Sequence, residues 1–290
     1  MATNTPFGQR LGLVLEGGAM RGIYTAGVLD VFLEAGIMPD VVVGVSAGAL
    51  HGGSYVAGQK GRSIRYYRKY RSDKHFMGLY SLLTTGDVVG TKFCYEDIPL
   101  RLDPFDEAAF EKAPVDFYVT VTNVRTGKPE YILCDELKVG SKMDVIRAGA
   151  SMPLCSKMVE WNGNLYLDGG VSDSIPYAKM KDFGCRKSIV VLTQPAGYLK
   201  QPAAMAPFEA MYRKYPAFVE AMRGRDQMYN TEVCAVEQAA KQGDVFLIRP
   251  SKLLHVGRME HDIEVLNAQY ELGRQDARNQ MDAMREWMER

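Results

Sequence analysis

The sequence predicts a three-layer α/β/α fold, in which helices cover both faces of a mainly parallel central sheet. The first fifty residues provide the first observation, because a short apolar segment, a glycine-rich turn and a helical segment occur there twice in succession. The second observation is that β-branched segments and helical segments are spread over the rest of the chain. A length of 290 residues and a hydrophobic share of 47% allow a sizeable core, and one domain over 1–290 is expected.

Hydrophobic periodicity and glycine positions define the individual elements. Residues 11–15 are the first predicted strand, 16–22 a glycine-rich turn, and 23–35 the first helix, which Gly36 ends. Residues 41–43 are the second strand, and a second helix follows the turn at 44–48 and runs to about residue 57. Later strands are predicted at 117–124, 130–134, 188–193 and 245–248, and later helices at 141–150, 207–222, 225–242 and much of 258–289.

This order of elements implies parallel strands joined by a right-handed crossover. Both glycine-rich turns then lie at the carboxyl ends of their strands. Open α/β sheets bind ligands at that edge, so the functional site is expected there.

Composition excludes several classes of protein and partner. The 35 basic and 35 acidic residues balance, so no nucleic-acid partner is expected. The five cysteines include no Cys-x-x-Cys pair, and neither a metal nor an organic cofactor is implied. The start of the chain lacks the apolar core of a signal peptide, and no segment is apolar enough to span a bilayer. A cytoplasmic protein is the expectation, with a peripheral position at the inner face of the membrane as the alternative.

Residues 44–48 have the form Gly-x-Ser-x-Gly between a β-branched strand and a helix. In that context the pattern is typical of a nucleophile elbow, with Ser46 as the nucleophile. Gly44 and Gly48 would let the neighbouring backbone approach a strained serine. The helix that begins after Ser46 would direct its amides at charge that forms near the hydroxyl. The alternative is an ordinary turn in which a serine caps a helix.

The glycine-rich turn at 16–22 also follows a strand and opens a helix. Its small residues would allow successive N–H groups to point one way and bind an anion. In acyl transfer these donors would form an oxyanion hole, with Gly18 and Ala19 as the donors and Gly17 and Gly22 shaping the turn. Arg21 would either brace the loop or add positive charge.

A non-catalytic Rossmann-like module that binds a nucleotide or another anion is the competing interpretation of this turn. Its glycine spacing disagrees, because Ala19 stands where a dinucleotide requires glycine. Ser46 also stands at the end of the next strand, where such a module has an acidic residue.

A serine nucleophile requires a general base, and Asp168 is the strongest candidate. It follows a short apolar segment and precedes Gly169 and Gly170, so a tight turn would hold it. The plainer interpretation is an Asp-Gly hairpin turn. Among the four histidines, His255 could close a Ser46, Asp168, His255 triad in the chain order of α/β-hydrolases, but those enzymes usually place several strands before the nucleophile.

Together the three motifs resemble the patatin-like phospholipase family, whose pattern is Gly-Gly-Gly-x-Arg/Lys-Gly, Gly-x-Ser-x-Gly and Asp-Gly-Gly/Ala in that order. Residues 17–22, 44–48 and 168–170 supply them, and residues 150–154 and 171–176 are also similar to the family. The resemblance covers about 9–195 and leaves a helical C-terminal part at about 200–290. An uncharacterised bacterial branch with Leu-Glu-Gly-Gly at the first turn is most similar.

The resemblance implies a serine acyl-ester hydrolase acting on acyl lipids. It implies a Ser46–Asp168 dyad without histidine and an oxyanion hole from residues 17–22. Ala19 departs from the third glycine of the family, and alanine resists positive φ. An acyltransferase with the same dyad remains the alternative, and the sequence indicates neither the lipid head group nor an oligomeric state.

Two further segments suggest contact with lipid. Residues 60–74 hold seven basic residues interleaved with three tyrosines, which would suit transient contact with an anionic membrane surface, although a solvated helix face is the plainer interpretation. Four methionines could line an acyl pocket or pack in the core: Met205, Met211, Met222 and Met228.

Overall fold

The computed structural model describes residues 6–290, which form one mixed β-sheet with helices on both faces. The strands of this part of the chain are β1 (Arg10–Leu15), β2 (Val41–Val45), β3 (Asp116–Asn123), β4 (Pro129–Leu133), β5 (Val159–Trp161), β6 (Asn164–Asp168), β7 (Cys185–Val191) and β8 (Val245–Ile248). Each strand that the sequence predicts is present within a few residues of its expected bounds.

The α-helices are α1 (Ile23–Glu34), α2 (Ala47–Val56), α3 (Arg62–Tyr70), α4 (Leu79–Thr85), α5 (Glu107–Lys112), α6 (Met143–Gly149), α7 (Ala206–Met211), α8 (Pro216–Arg223), α9 (Arg225–Gln242), α10 (Ile263–Asn279) and α11 (Met281–Glu289). A π-helix spans Phe93–Leu102. Short 3₁₀ helices occur at Ala19–Gly22, Gly169–Val171 and Ala178–Lys181.

Five strands of the sheet are parallel, in the order β3-β2-β1-β7-β8. β4 and β6 both pair antiparallel with β3, and β5 forms a hairpin with β6. The turn of this hairpin is Asn162-Gly163, in which both residues have positive φ, as a type I′ turn requires. The predicted fold class, a mainly parallel sheet between helices, is therefore confirmed.

The sheet separates two apolar layers. Leu13 and Leu15 of β1 point to one face, where they join a cluster with α1, α2 and α6. Val14 points to the other face and packs with Tyr229 and Val236 of α9. This alternation follows from the period of two along a strand, and it explains why the central strands are apolar at every position.

Helix α10 packs closely against α1 because two glycines face the partner backbone. A Cβ on Gly27 would lie 2.1 Å from the carbonyl oxygen of Tyr270, and a Cβ on Gly273 would lie 2.1 Å from that of Tyr24. The same tyrosines donate hydrogen bonds across the pair, Tyr24 to Asp276 at 3.0 Å and Tyr270 to Asp30 at 2.6 Å. The C-terminal helices are thereby held against the motif-bearing part of the chain.

Strand β3 brings β2 and β6 end to end. β4 pairs with β3 at Tyr118 to Thr122, while β2 pairs with it up to Thr120 and β6 from Val121 onward. A strand has only two edges, so β2 and β6 share the edge opposite β4. They run in opposite directions along that edge, and their carboxyl ends therefore meet.

The structure differs from the sequence predictions in several helices. The helix predicted at 207–222 is two helices, α7 and α8, and Tyr215 between them has ψ of 67° because Pro216 excludes the helical conformation before it. The final helical region begins only at Ile263, where Asp262 caps α10, and it breaks at Gln280. Helices α4 and α5, the π-helix and strand β5 were not predicted.

Candidate active site

Ser46 lies on the turn between β2 and α2. Its backbone has φ 53° and ψ −123°, a conformation that residues other than glycine rarely adopt. A Cβ on Gly44 would lie 2.4 Å from the Cα of Ala49, and a Cβ on Gly48 would lie 2.4 Å from the carbonyl oxygen of Leu15. Since both obstacles are backbone atoms, only glycine fits. This is the strained strand-to-helix turn that the pattern at 44–48 predicts.

Ser46 and Asp168 meet where β2 and β6 end against each other. The Ser46 hydroxyl lies close enough to the Asp168 carboxylate to lower its pKa. Both residues are buried, with 8% and 6% of their surface exposed. The chain can leave β6 here only because residue 169 is glycine, since a Cβ there would lie 2.2 Å from the carbonyl oxygen of Thr120.

The surroundings of Asp168 favour a carboxylate that accepts protons more readily than an exposed one. Burial raises the pKa of Asp168 above its usual value of 3.8. The Ser46 hydroxyl, the positive charge of Arg225 and the Gly170 N–H oppose this shift in pKa. The Gly170 amide donates to Asp168 Oδ1 at 2.8 Å and fixes the carboxylate orientation.

The glycine-rich loop packs directly against the Ser46 turn. A Cβ on Gly17 would lie 2.7 Å from the Cβ of Ser46, and a Cβ on Gly18 would lie 2.7 Å from Thr193 Oγ1. At the end of the loop, Gly22 faces the first turn of α2 just as closely. The absence of side chains at these positions is what brings the loop backbone up to the serine.

Ala19 adopts the positive φ that alanine resists, with a value of 49°. Across residues 6–290, the amides of Gly18 and Ala19 have no hydrogen-bond acceptor. Both residues line the cleft that contains Ser46, and Arg21 lines it too. The loop thus offers two free donors beside the serine.

A buried glutamate, Glu16, anchors the glycine-rich loop. Glu16 has 3% of its surface exposed, accepts a hydrogen bond from the Tyr229 hydroxyl at 2.9 Å and a second one from the Thr193 amide. Burial raises the pKa of Glu16. Tyr229 lies on α9, so the C-terminal part of the chain helps to position the glycine-rich loop.

An apolar cavity opens at Ser46 and runs along α2 toward its C-terminal end. It includes about 970 Å³ of empty space with its mouth. Most of the side chains that line it are aliphatic or aromatic. Its polar lining includes Ser54, near the end of α2, and Arg62, at the start of α3. The methionines in its lining are Met20, Met77, Met143 and Met152. None of Met205, Met211, Met222 and Met228 lines this cavity. Met222 lines the polar cleft that also contains Ser46, and Met205 and Met222 pack in an apolar cluster, as the alternative interpretation expected.

A second, more polar cleft lies on the other side of Ser46. The glycine-rich loop, Asp168 and Met152 form one wall. The other wall comes from beyond residue 193 and includes Gln194, Lys200 and Arg225. Ser46 lines both spaces, so it stands at the junction of an apolar cavity and a polar cleft.

Comparison with known families matches residues 13–180, more than half of the chain, to the family described as patatin-like phospholipase. This chain belongs to the patatin-like phospholipase family. The resemblance inferred from the three motifs is thereby confirmed, and membership in this family supports a lipid hydrolase. Residues 215–289 match a second family, described as a domain of unknown function (DUF6363).

Several individual proteins are similar to this patatin-like chain. Uncharacterized protein YjjU from Escherichia coli (strain K12) is 28% identical over 273 residues, which cover 91% of this chain and 75% of that protein. Lysophospholipase nte1 from Aspergillus terreus is 30% identical over 182 residues, and Lysophospholipase NTE1 from Saccharomyces cerevisiae is 30% identical over 186 residues. These two matches cover 61% and 63% of this chain but only 11% of each lysophospholipase.

A solved structure, VipD from Legionella pneumophila, aligns with a TM-score of 0.48 and 13% identity over 96% of this chain and 67% of that chain.

No histidine within residues 6–290 hydrogen-bonds to Ser46 or Asp168. His51 is buried, bonds to Ser63 Oγ at 3.0 Å, and has its pKa lowered to about 3 by burial. His75 pairs with Asp73, and His261 lies beside its neighbour in the chain, Glu260. Within the described part of the chain, no histidine lines the cleft that Ser46 and Asp168 share. The geometry therefore does not assemble the alternative triad with His255.

The basic segment at 60–74 does not present its aromatic residues to a membrane. Tyr66, Tyr67 and Tyr70 of α3 are buried in a cluster under the apolar cavity. Two of the basic residues, Arg62 and Arg65, pair with Asp103. Helix α3 therefore uses these tyrosines for packing, and transient membrane contact of 60–74 through its basic side chains stays a prediction. Nowhere in residues 6–290 is a helix long and apolar enough to cross a bilayer.

Three residues at the site lie outside every sequence motif. Tyr229 holds Glu16, Arg225 Nε donates to the carbonyl oxygen of Gly170 at 2.6 Å, and Lys200 lines the polar cleft. No periodicity or spacing marks them, because only tertiary folding brings α9 over the loops. Their partner Glu16 does have a local signal in the sequence, because it is an acidic residue that directly follows a fully apolar strand.

Proposed function

We propose that this protein hydrolyses acyl esters of lipids by covalent catalysis, with Ser46 as nucleophile and Asp168 as general base. The observation that carries the proposal is the proximity of the Ser46 hydroxyl to a buried carboxylate, Asp168, at the mouth of an apolar cavity. Family membership and the names of the lysophospholipase relatives support lipid esters as the substrate class. The apolar cavity would take the acyl chain, since burial of hydrocarbon is favourable by about 0.8 kcal/mol per CH₂.

The first half of the reaction would form an acyl-enzyme. Ser46 Oγ attacks the ester carbonyl while its proton passes to Asp168, whose raised pKa makes it a more effective base. The negative charge that develops on the carbonyl oxygen is stabilised by the free amides of Gly18 and Ala19. The C–O bond to the alcohol then breaks, and the alcohol leaves with the proton from Asp168.

The second half would return the enzyme to its starting state. Asp168 accepts a proton from a water molecule, whose oxygen attacks the acyl carbonyl. The bond to Ser46 Oγ breaks, the proton on Asp168 returns to the serine, and a fatty acid is released. An alcohol in place of water would give acyl transfer, so analysis of products with and without added glycerol distinguishes the two reactions.

Replacement of the two dyad residues tests this function. Ser46→Ala and Asp168→Asn should each lower hydrolysis of a nitrophenyl butyrate ester by at least about 10³-fold. Ser46→Ala should also abolish labelling by a fluorophosphonate probe. Ser251→Ala, at an exposed serine outside both cavities, serves as the control. Continued labelling and cleavage by Ser46→Ala would show that the nucleophile is another residue.

A further inference from the structure

The polar cleft beside Ser46 contains an excess of positive charge. Four basic side chains line it: Arg21, Lys200, Arg225 and Arg258. None of the four forms an ion pair within residues 6–290. The salt bridges there involve other arginines and lysines. The Nε atom of Arg21 is fully buried and has no hydrogen-bond partner among residues 6–290. A buried cationic donor without a partner requires an anion or water to satisfy it.

The nearby carboxylates compensate little of this charge. Glu16, Asp168 and Glu232 are the acidic groups that act on these cations, and burial raises the pKa of all three. Each is also engaged: Glu16 holds the loop, Asp168 accepts from the Gly170 amide, and Glu232 accepts from the amides of residues 174 and 175. Four basic side chains and only two acidic ones, Glu16 and Asp168, line the cleft, so basic groups outnumber acidic groups next to the nucleophile.

Lys200 is held in place for this role. Its amide donates to Asn230 Oδ1 at 2.9 Å, and its carbonyl accepts from Asn230 Nδ2 at 3.1 Å. Its ammonium group lies 3.7 Å from the ring centroid of Tyr229. Burial, followed by repulsion from Arg225, lowers the pKa of Lys200 to about 7, as expected for a cation that lacks its counter-ion. Both contacts come from α9, so the helix fixes the lysine before a ligand arrives.

We propose that this cleft is an anion subsite, which binds a negatively charged head group of the acyl ester, a phosphate or a carboxylate, through Lys200, Arg225 and Arg258. The inference rests on the proposed function, because it places the two parts of one substrate on opposite sides of Ser46. Guanidinium and ammonium groups suit both anions. Arg225 and Arg258 lie within residues 215–289, so this part of the chain, which matches a domain of unknown function, acquires a role in substrate selection.

The test compares two esters that share a decanoyl chain, 1-decanoylglycerol 3-phosphate and uncharged 1-decanoylglycerol. The measured quantity is the ratio of their kcat/KM values with the full chain, below the micellar concentration. Lys200→Gln should lower this ratio about 10- to 100-fold, the usual effect of losing a charged hydrogen bond. Lys200→Arg should restore most of it. Lys241→Gln, at an exposed lysine of α9, is the matched control and should leave the ratio unchanged.

Fluorophosphonate labelling of Ser46 in each variant verifies that the site is folded. An equal ratio in wild type and in a Lys200→Gln variant that still labels would overturn the anion subsite while leaving the proposed function intact. Failure of the wild type to cleave either ester through Ser46 would instead overturn the proposed function.

A competition experiment identifies the source of the anion. Inorganic phosphate is added to the reaction with uncharged 1-decanoylglycerol. Inhibition that Lys200→Gln weakens would support a subsite that also binds the free anion. A lowered ratio in Lys200→Gln without phosphate inhibition would support a subsite that requires the anion to be tethered to the acyl ester.

Discussion

Val45 pairs with Thr120, and Asp168 pairs with Val121, the next residue along the same edge of β3. Two strands that approach from opposite directions therefore end within one residue of each other in register. Ser46 directly follows Val45, so its hydroxyl and the Asp168 carboxylate are brought together by the ends of two strands rather than by flexible loops. Regular strands position side chains more firmly than loops do, which suits the catalytic role proposed for the two residues.

The pH dependence of hydrolysis should report the ionisation of Asp168. Because burial raises its pKa above 3.8, the carboxylate is lost at a higher pH than an exposed aspartate would be. We expect kcat/KM for an uncharged ester to fall as pH falls, with the midpoint above 3.8. Arg225→Gln removes a charge that lowers this pKa, so it should move the midpoint to higher pH, whereas Lys241→Gln should not. A rate that is flat down to pH 4 would contradict this assignment.

Ala19→Gly should stabilise the protein. Alanine at φ of 49° carries a penalty of about 1 kcal/mol that glycine avoids, although glycine also makes the unfolded chain more flexible. We expect a rise in Tm of about 2–4 °C at most, measured by thermal unfolding. Hydrolysis should persist, since the amide donor remains. Ala19→Val places a branched side chain at the same φ and should lower Tm; the reverse order would refute the strain argument.

The apolar cavity should set the preferred acyl length. Its wall along α2 extends from Ser46 to Ser54, about 12 Å at 1.5 Å per residue. An extended chain advances about 1.2 Å per bond, so roughly ten bonds fit before Arg62, which is 7% exposed and packs over Phe105. We expect kcat/KM for nitrophenyl esters to rise up to about ten carbons and then level off or fall.

Leu50→Trp tests this length limit, because residue 50 lines the cavity partway along α2. The larger side chain should lower kcat/KM for decanoyl esters much more than for acetyl esters. Retained acetyl ester cleavage shows that the variant is folded. A uniform loss at every length, or no loss at any, would mean that the chain binds elsewhere.

Stability should fall with rising pH because of Glu232. Burial and the neighbouring carboxylate of Asp173 raise the pKa of Glu232 from 4.5 to about 9. Glu232 is therefore neutral in the folded state over a pH range in which the unfolded state ionises it. The free energy of unfolding accordingly decreases as pH rises from about 4.5 to about 9.

Glu232→Gln removes this ionisation and keeps an oxygen to accept from the amides of Ser174 and Ile175, which lie 3.2 and 3.0 Å from Glu232 Oε2. The Tm of the variant relative to wild type should therefore increase between pH 5 and pH 9 in thermal unfolding experiments. A difference in Tm that stays constant with pH would show that this carboxyl group does not titrate in that range.

The sequence by itself determined the local features of this protein. The apolar segment at 11–15 and the β-branched segment at 41–43, each followed by glycines, specify strand and turn without help from the rest of the chain, and the parallel core of the sheet follows from their order. The Asn-Gly pair at 162–163 is an equally local signal. Such a pair is typical of a hairpin turn, so the β5–β6 hairpin could have been predicted from the sequence, although β5 was not.

Tertiary structure alone decided how these features combine. Strand β6 pairs antiparallel with the part of the β3 edge that lies beyond β2. Periodicity cannot predict this pairing, because it depends on the register between distant segments. The same is true of α9, which carries Tyr229 and Arg225 to loops more than fifty residues away in the chain. Local patterns encode backbone conformation, whereas the charges and cavities around Ser46 arise only when separate segments pack together.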